Sequence, residues 1–477
     1  MNFWDYTYQT ILIIYVLMII ATVYTVLHER RDPVRAVTWI AVLVLIPVGG
    51  LIVFLFFGQN YRKQKIFSRK ELKEVAIIER FSQNQISEID EMPLREIADN
   101  KHIIKLLLNN SKSLLTLSNR VTILKNGEQT FQSIKDALLC AQRSIHLEYY
   151  IFENDEIGGQ IVEILIEKAR QGVAVRVIYD AVGSWSLTPL FIRRLRKCGV
   201  EIHCFMPVVF PWFTSKVNYR NHRKIIVIDS SVGFTGGLNI ADRYIRGNKY
   251  GIWRDTHLKI EGESVKMLQA TFVADWWFAT KELIQISENK DYNKGDVSMQ
   301  IVASGPDSDY SAIMQAYFSA INNAKHHIYI STPYFLPNEP ILTALKVASL
   351  SGIDVRIMLP QRSDSKIVHW ASRSYFSELL EAKIKIYLYQ NGFNHSKILT
   401  IDGQFSSVGT ANMDVRSFED NFEISAMIYS KAVTRQLERD FLDDLRSCTH
   451  LNLTRWNARK QKDNLKESIA RLFSPLL

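Results

Sequence analysis

Cysteine is scarce in this chain. There are four, Cys140, Cys198, Cys204 and Cys448, with no CxxC pair and no His-rich metal spacing. No disulfide framework and no thiolate zinc site can be read from them, and they fit reduced thiols facing a cytoplasmic environment. No pattern calls for a metal or a cofactor. Charge is missing from two stretches near the N-terminus. Residues 6–27 hold no Asp, Glu, Lys or Arg, and a second uncharged run covers 36–61 with its apolar centre at 36–57. About 20 such residues in a helix cross a bilayer core of roughly 30 Å, so the pair predicts a two-helix transmembrane hairpin. Pro47, Gly49 and Gly50 fall inside the second run, where membrane helices tolerate them, and Trp4, Tyr6, Trp39 and Tyr61 stand where interfacial anchors would. A cleaved signal peptide fits poorly, because the first seven residues hold Asp5 and no Lys or Arg and a second run follows.

A hairpin leaves the N-terminus and the bulk of the chain on one side. The loop between the runs carries Arg30, Arg31 and Arg35, offset by Glu29 and Asp32, and Arg62, Lys63, Lys65, Arg69 and Lys70 follow the second run. That distribution favours a cytoplasmic main body. Of the 477 residues 47% are apolar, enough for two or three domains with their own cores, and the net charge is +9. A basic balance suits anionic partners: nucleic acid, phosphate esters or acidic lipid.

The most informative stretch is Asn221 to Asn239, NHRKIIVIDSSVGFTGGLN, which sets His222, Lys224 and Asp229 in the spacing HxKx4D before Gly236, Gly237 and Asn239. Residues 394–412, NHSKILTIDGQFSSVGTAN, repeat it with His395, Lys397, Asp402, Gly409 and Asn412 at the same offsets. Two copies sharing every offset exclude the bland reading of strand histidines beside surface lysines. The apolar, β-branched runs 225–228 and 398–401 read as buried strands. On a strand, residues two apart share a face, so each His points with its Lys, pairing a nucleophile or proton carrier with a fixed positive charge. Asp229 and Asp402 complete the set of six catalytic candidates, but their opposite parity gives them a structural role at the strand end. The glycines suit a tight turn, and each Asn can donate an N–H to an oxyanion.

The duplication reaches beyond the motifs. AQRSIHLEYYIF (141–152) resembles AKHHIYISTPYF (324–335), and GVAVRVI (172–178) resembles GIDVRIM (352–358). Each half reads helix, strand, helix, strand and then the His strand, which predicts two α/β/α halves meeting at a pseudo-symmetric cleft. The organisation follows: a hairpin over 1–61, a connector over 62–120, a first half over 121–297 and a second half with its tail over 298–477. The segment 148–155 is expected to line the cleft. The aromatic loop 208–213, followed by Lys216, suits either a lipid interface or packing against the other half. The tail after 447 reads as a basic amphipathic segment on a membrane or as a packed terminal helix. His146, His257, His326 and His327 lack motif context and read as structural.

The paired HxKx4D motifs resemble the phospholipase D superfamily. The N-terminal RDPVRAVTW and IPVGGLIVFLFFG, with the C-terminal ARLFSPLL, resemble the bacterial cardiolipin synthases of that superfamily, so the likeness covers essentially the whole chain. It implies condensation of two phosphatidylglycerol molecules into cardiolipin and glycerol through a phosphohistidine, at a bacterial cytoplasmic membrane and without a metal. It implies His222 as nucleophile and His395 as acid and base, although the symmetric motifs alone leave that choice open. Lys224, Lys397, Asn239 and Asn412 are implied as phosphate-binding residues, and Asp255 and Glu423 as acids that orient the two rings. A phospholipase D hydrolase would use the same site with water as acceptor. A basic nuclease is disfavoured by the two apolar runs and by the lack of a nucleic-acid-binding module. An inactive scaffold predicts a degraded motif, and both motifs are intact.

Overall fold

The computed structural model describes residues 73–91, 95–207, 219–286 and 294–474, with residues 9, 13, 15–20, 23–24, 33–46, 49–51 and 54 near the N-terminus. The expectations for Trp4, Tyr6, Tyr61, the basic residues on either side of the second run and the loop 208–213 with Lys216 concern residues outside that set.

Two large sheets carry the fold. The first has seven strands in the order Asn119–Lys125, Thr256–Gly262, Val232–Gly236, Lys224–Ile228, Ser144–Tyr149, Ala174–Tyr179 and Glu201–Cys204. The second repeats it as Met299–Ser304, Glu423–Ile428, Phe405–Gly409, Ile398–Ile401, His327–Ser331, Asp354–Pro360 and Lys385–Tyr389, and adds Cys448–His450 at the far edge. Pairing directions agree strand by strand. In each half the His strand is antiparallel to both neighbours, and the following strands are parallel. The duplication read from sequence is therefore a duplication of topology, with a further sheet strand, Glu201–Cys204 or Lys385–Tyr389, and its preceding helix or helices between the repeated segments and the His strand.

Local chemistry explains the elements. Ile225 to Ile228 are at most 3% exposed, as expected of an all-apolar β-branched strand covered on both faces. Asp155 caps the helix Glu156–Arg170 by accepting from the Gly158 N–H, and Asn338 caps Glu339–Leu350 by accepting from Ile341. The sheets meet through a shared core that joins Ile225, Val227, Leu258 and Ile260 of the first to Met299, Val408, Ile424 and Ala426 of the second. Helices cover the outer faces.

The described part of the segment expected as a connector forms helices Lys73–Glu88 and Arg95–Asn110. Ile97, Ile104, Leu107 and Leu108 lie in the core of the second half. Near the N-terminus, helix Pro33–Leu45 has 13 residues, and no described helix is long and apolar enough to cross a membrane. Trp39 and Phe54 touch at 5.3 Å between ring centroids. Fifteen residues of straight helix would separate them by about 22 Å, so helix Pro33–Leu45 does not run on as a straight rod to Phe54. Trp39 is accordingly buried against Phe54, not exposed as the interfacial anchor its position suggested. The tail packs: Trp456 and Ala470 enter the second core, and Glu467 holds Arg373 and Arg459.

Candidate active site

The cleft lies where the two halves exchange main-chain bonds. Just ahead of the first His strand, the His222 N–H donates to the Phe422 carbonyl, and the Phe422 N–H donates to that of Arg220. In the reciprocal place, Gly392–Asn394 pairs in parallel with Ile252–Arg254, and the His395 N–H donates to the Arg254 carbonyl. Residues 422 and 254 immediately precede Glu423 and Asp255. Each bridge therefore carries the acid of one half to the histidine of the other.

The side chains follow. His222 Nδ1 is 2.9 Å from both oxygens of Glu423, and His395 Nδ1 is 2.6 Å from Asp255 Oδ2. A carboxylate accepts, so each Nδ1 carries the proton and each Nε2 keeps its lone pair. Along the chain Asp255 follows His222 and Glu423 follows His395, each acid in the half of its own histidine; the structure crosses them. Thr410 donates to Glu423, as does the Asn421 amide at 3.2 Å, while Asp255 accepts from the Thr256 N–H at 2.7 Å. Gly237 holds the place equivalent to Thr410, and a Cβ there would stand 2.0 Å from Asp255 Oδ1. The close approach of backbone to acid explains why that position has no side chain.

Lys224 Nζ donates to the His222 carbonyl at 2.7 Å, and Lys397 Nζ donates to that of His395 at 2.5 Å while lying 3.1 Å from both ring nitrogens. The site is dry. Burial lowers Lys224 to about 7 and Lys397 to about 8, against the pull of Glu423 and Asp255. Burial also lowers His222 to about 4, with Glu423 opposing, and burial with Lys397 and Lys224 holds His395 well below its ordinary value. Asp255 is pushed up to about 6 by burial, whereas Glu423 stays below the usual carboxylate range because His222, Lys224 and Thr410 outweigh its desolvation. Both shifts favour the neutral imidazole.

The remaining candidates are distributed differently. Asp229 and Asp402 point away from the cleft. Asp229 accepts from the N–H groups of Gln142, Arg143 and Ser144, and Asp402 from those of Lys325, His326 and His327. Each ties the turn after its His strand, at φ 51° and 54°, to the start of the neighbouring strand. Asn239 donates to the Tyr244 hydroxyl at 2.6 Å and accepts from the Ile151 N–H. Asn412 is buried with its Oδ1 unpartnered. Of the other histidines, His327 meets Glu438 at 2.7 Å, and His146 and His257 are buried in the first half.

The segment 148–155 was expected to line the cleft, and Tyr150 within it does so, whereas other cleft residues escaped the sequence reading. Tyr150 meets His222 edge-on at 4.9 Å, and Tyr244, Trp253 and Phe393 surround His395. Asn221 donates to Glu148 at 2.5 Å, and its N–H donates to Asp180 at 3.1 Å. Arg223 reaches beneath the site from Asp275 to the Glu423 carbonyl. The Asn that precedes the His in both motifs was a readable signal; Tyr244, on the short helix Arg243–Arg246, and Trp253 and Phe393, on short strands far apart in the chain, gave none.

A family model described as "Cardiolipin synthase, PLD-like domain" matches residues 134–276 and 317–445, one block in each half. The chain belongs to this family. Residues 11–59 match a second model, "Phospholipase_D-nuclease N-terminal". The cardiolipin synthase of Geobacillus kaustophilus is 46% identical over 454 residues, covering 94% of this chain and 90% of the relative. The major cardiolipin synthase ClsA of Bacillus subtilis is 40% identical over 472 residues, covering 97% and 98%. Among solved structures, a phosphatidylserine synthase from Haemophilus influenzae shares the fold with a TM-score of 0.60 at 13% identity, over 79% of this chain and all of that one. The resemblance read from the paired motifs thus extends to full-length relatives, and it makes this chain an enzyme of the phosphatidyl-transferring kind.

Proposed function

We propose that this protein condenses two phosphatidylglycerol molecules into cardiolipin and glycerol. The observation that carries the mechanism is the pair of neutral imidazoles, each held at Nδ1 by a buried acid from the opposite half. A phosphodiester is anionic and repels anionic nucleophiles; a neutral Nε2 approaches without that cost. His222 attacks phosphorus, a P–N bond forms, and the P–O bond to the head-group glycerol breaks. His395 gives its proton to the departing oxygen. The incoming phosphodiester itself favours the imidazolium form of His395, because its negative charge opposes the burial that keeps the ring neutral. The hydroxyl of a second phosphatidylglycerol then gives its proton to His395 and attacks phosphorus, and the P–N bond breaks. Lys224 and Lys397 hold the phosphoryl oxygens, with Asn412 and the Asn239–Tyr244 pair beside them. Asp229 and Asp402 keep the strand ends in place.

The uncharged runs near the N-terminus support attachment to a bilayer, with the catalytic halves on the cytoplasmic face of a bacterial membrane. The deciding experiment supplies purified full chain with phosphatidylglycerol in mixed micelles and identifies lipid products by mass spectrometry, beside His222→Ala. Cardiolipin with free glycerol, absent from the variant, is expected. Phosphatidic acid without cardiolipin would make water the acceptor and overturn the transfer reading.

A further inference from the structure

The loop after strand Ala174–Tyr179 is built rigidly and yet presents apolar side chains to solvent. Asp180 is fully buried; its Oδ1 accepts from the N–H groups of Val182 and Gly183, and its Oδ2 from the N–H of Asn221, the residue before His222. Ser184 donates to the Tyr150 carbonyl, and Tyr150 stands edge-on to His222. From this base Trp185 projects at 86% exposure and Leu190 at 75%. The helix Pro189–Lys197 buries Phe191 and Leu195 and leaves Arg193 exposed one turn beyond Leu190.

The equivalent loop of the second half follows strand Asp354–Pro360. It is tied down by Tyr334, whose hydroxyl meets both oxygens of Asp364 at 2.8 Å while its ring packs on the core of the first half. It leads into helix Lys366–Arg373, with Lys366 and Ile367 exposed. The C-terminal helix Gln461–Leu472 lies beside that helix, Lys466 Nζ sitting 4.7 Å from the centre of the Trp370 ring. Its Leu465, Ile469 and Leu472 are exposed at i, i+4 and i+7, a single stripe.

The two loops are repeat equivalents, and the halves contact each other reciprocally. Points related by a two-fold axis lie at equal height along it, so a flat surface normal to that axis meets the Trp185 loop and the Ile367 loop together; the C-terminal stripe has no counterpart in the first half and joins the second lip through its packing on helix Lys366–Arg373. A Trp and aliphatic residues backed by Arg193 and Lys366, on a chain of net charge +9, match a layer whose surface is anionic and whose interior is apolar. We propose that these two lips, Trp185 with Leu190 on one side and Ile367 with the Leu465–Ile469–Leu472 stripe on the other, dock the mouth of the cleft onto an anionic bilayer. The docking surface delivers a phosphatidyl head group to His222 without removing the lipid from its leaflet. This rests on the phosphatidyl transfer reading and adds to it a surface distinct from the N-terminal runs.

The test uses full chain in vesicles of phosphatidylcholine and phosphatidylglycerol, with two readouts. Lipids brominated along the acyl chain should quench wild-type tryptophan emission more than that of Trp185→Phe; equal quenching overturns the proposal. Trp185→Ser, and separately Leu465→Ser with Ile469→Ser, should lower the ratio of turnover on bilayer phosphatidylglycerol to turnover on dissolved short-chain phosphatidylglycerol by about tenfold. An unchanged ratio overturns it, as does cross-linking between copies of the chain through the lips in place of quenching. If wild type makes no product from either substrate, the transfer reading fails, and the quenching comparison, which needs no turnover, still decides the docking.

Discussion

Replacing Glu423 by Gln removes one charge from beneath His222 and keeps nearly the same shape. The carboxylate is fully buried, and it is ionised at neutral pH because His222, Lys224 and Thr410 outweigh the effect of burial. The amide retains an acceptor for Thr410 and for the His222 Nδ1–H. What it loses is the attraction that develops when His222 becomes cationic on attacking phosphorus. Unit charges about 4 Å apart at an effective dielectric near 20 interact by about 4 kcal/mol. At about 1.4 kcal/mol per factor of ten, that predicts a fall in phosphatidyl transfer of roughly a thousandfold. The assay is cardiolipin formation in mixed micelles, read beside a thermal melt that shows the variant folded. A second measurement separates the crossed pairing from one within each half: ring 15N resonances should shift at His222 in Glu423→Gln and at His395 in Asp255→Asn. A loss below about tenfold, or a shift at His395 in the Glu423 variant, would refute the reasoning.

Gly237→Ala places a methyl 2.0 Å from Asp255 Oδ1, so the acid must move off His395; turnover should fall by about a hundredfold, the cost of an ångström of misplacement. Asp402→Ala deprives three N–H groups of their acceptor. Denaturant titration should show a loss of about 2–4 kcal/mol, with turnover of the folded fraction close to wild type. His146 is held near 3 by burial, with Arg176 adding to it, and neither ring nitrogen has a partner. Between pH 6.5 and about 3 the unfolded chain binds a proton there that the native chain refuses, so native stability falls as pH drops through that window. His146→Phe, which keeps the stack on Phe272, should recover about 2 kcal/mol of it at pH 5, measured as a flatter dependence of stability on pH.

Some of this site was legible in the chain and some was not, for physical reasons. Strand periodicity placed His222 with Lys224 and turned Asp229 away, because the alternation is a local property of the backbone. The repeat announced two equivalent halves because every offset recurs. The crossing of Glu423 to His222 and of Asp255 to His395 was out of reach, since it depends on how two folded halves dock. Tyr150 fell within the stretch expected at the cleft, but Tyr244, on helix Arg243–Arg246, and Trp253, on strand Ile252–Arg254, obey no period shared with the motifs. Arg223 was hidden in plain view within the motif, its partner Asp275 being 52 residues further on. Near the N-terminus, apolar composition suggested a second span over 36–57, and the contact between Trp39 and Phe54 within it is one that composition does not encode.

The exchange of acids between halves also orders events during synthesis. His222 leaves the ribosome 201 residues ahead of Glu423, and Asp255 leaves 140 residues ahead of His395. A nascent chain halted before residue 395 holds His222 with no acid beneath it and Asp255 with no ring above it. In the proposed mechanism each histidine works with an acid of the other half, so a fragment that ends before residue 395 lacks both pairs. The two pairs exist only once both halves have been made and docked.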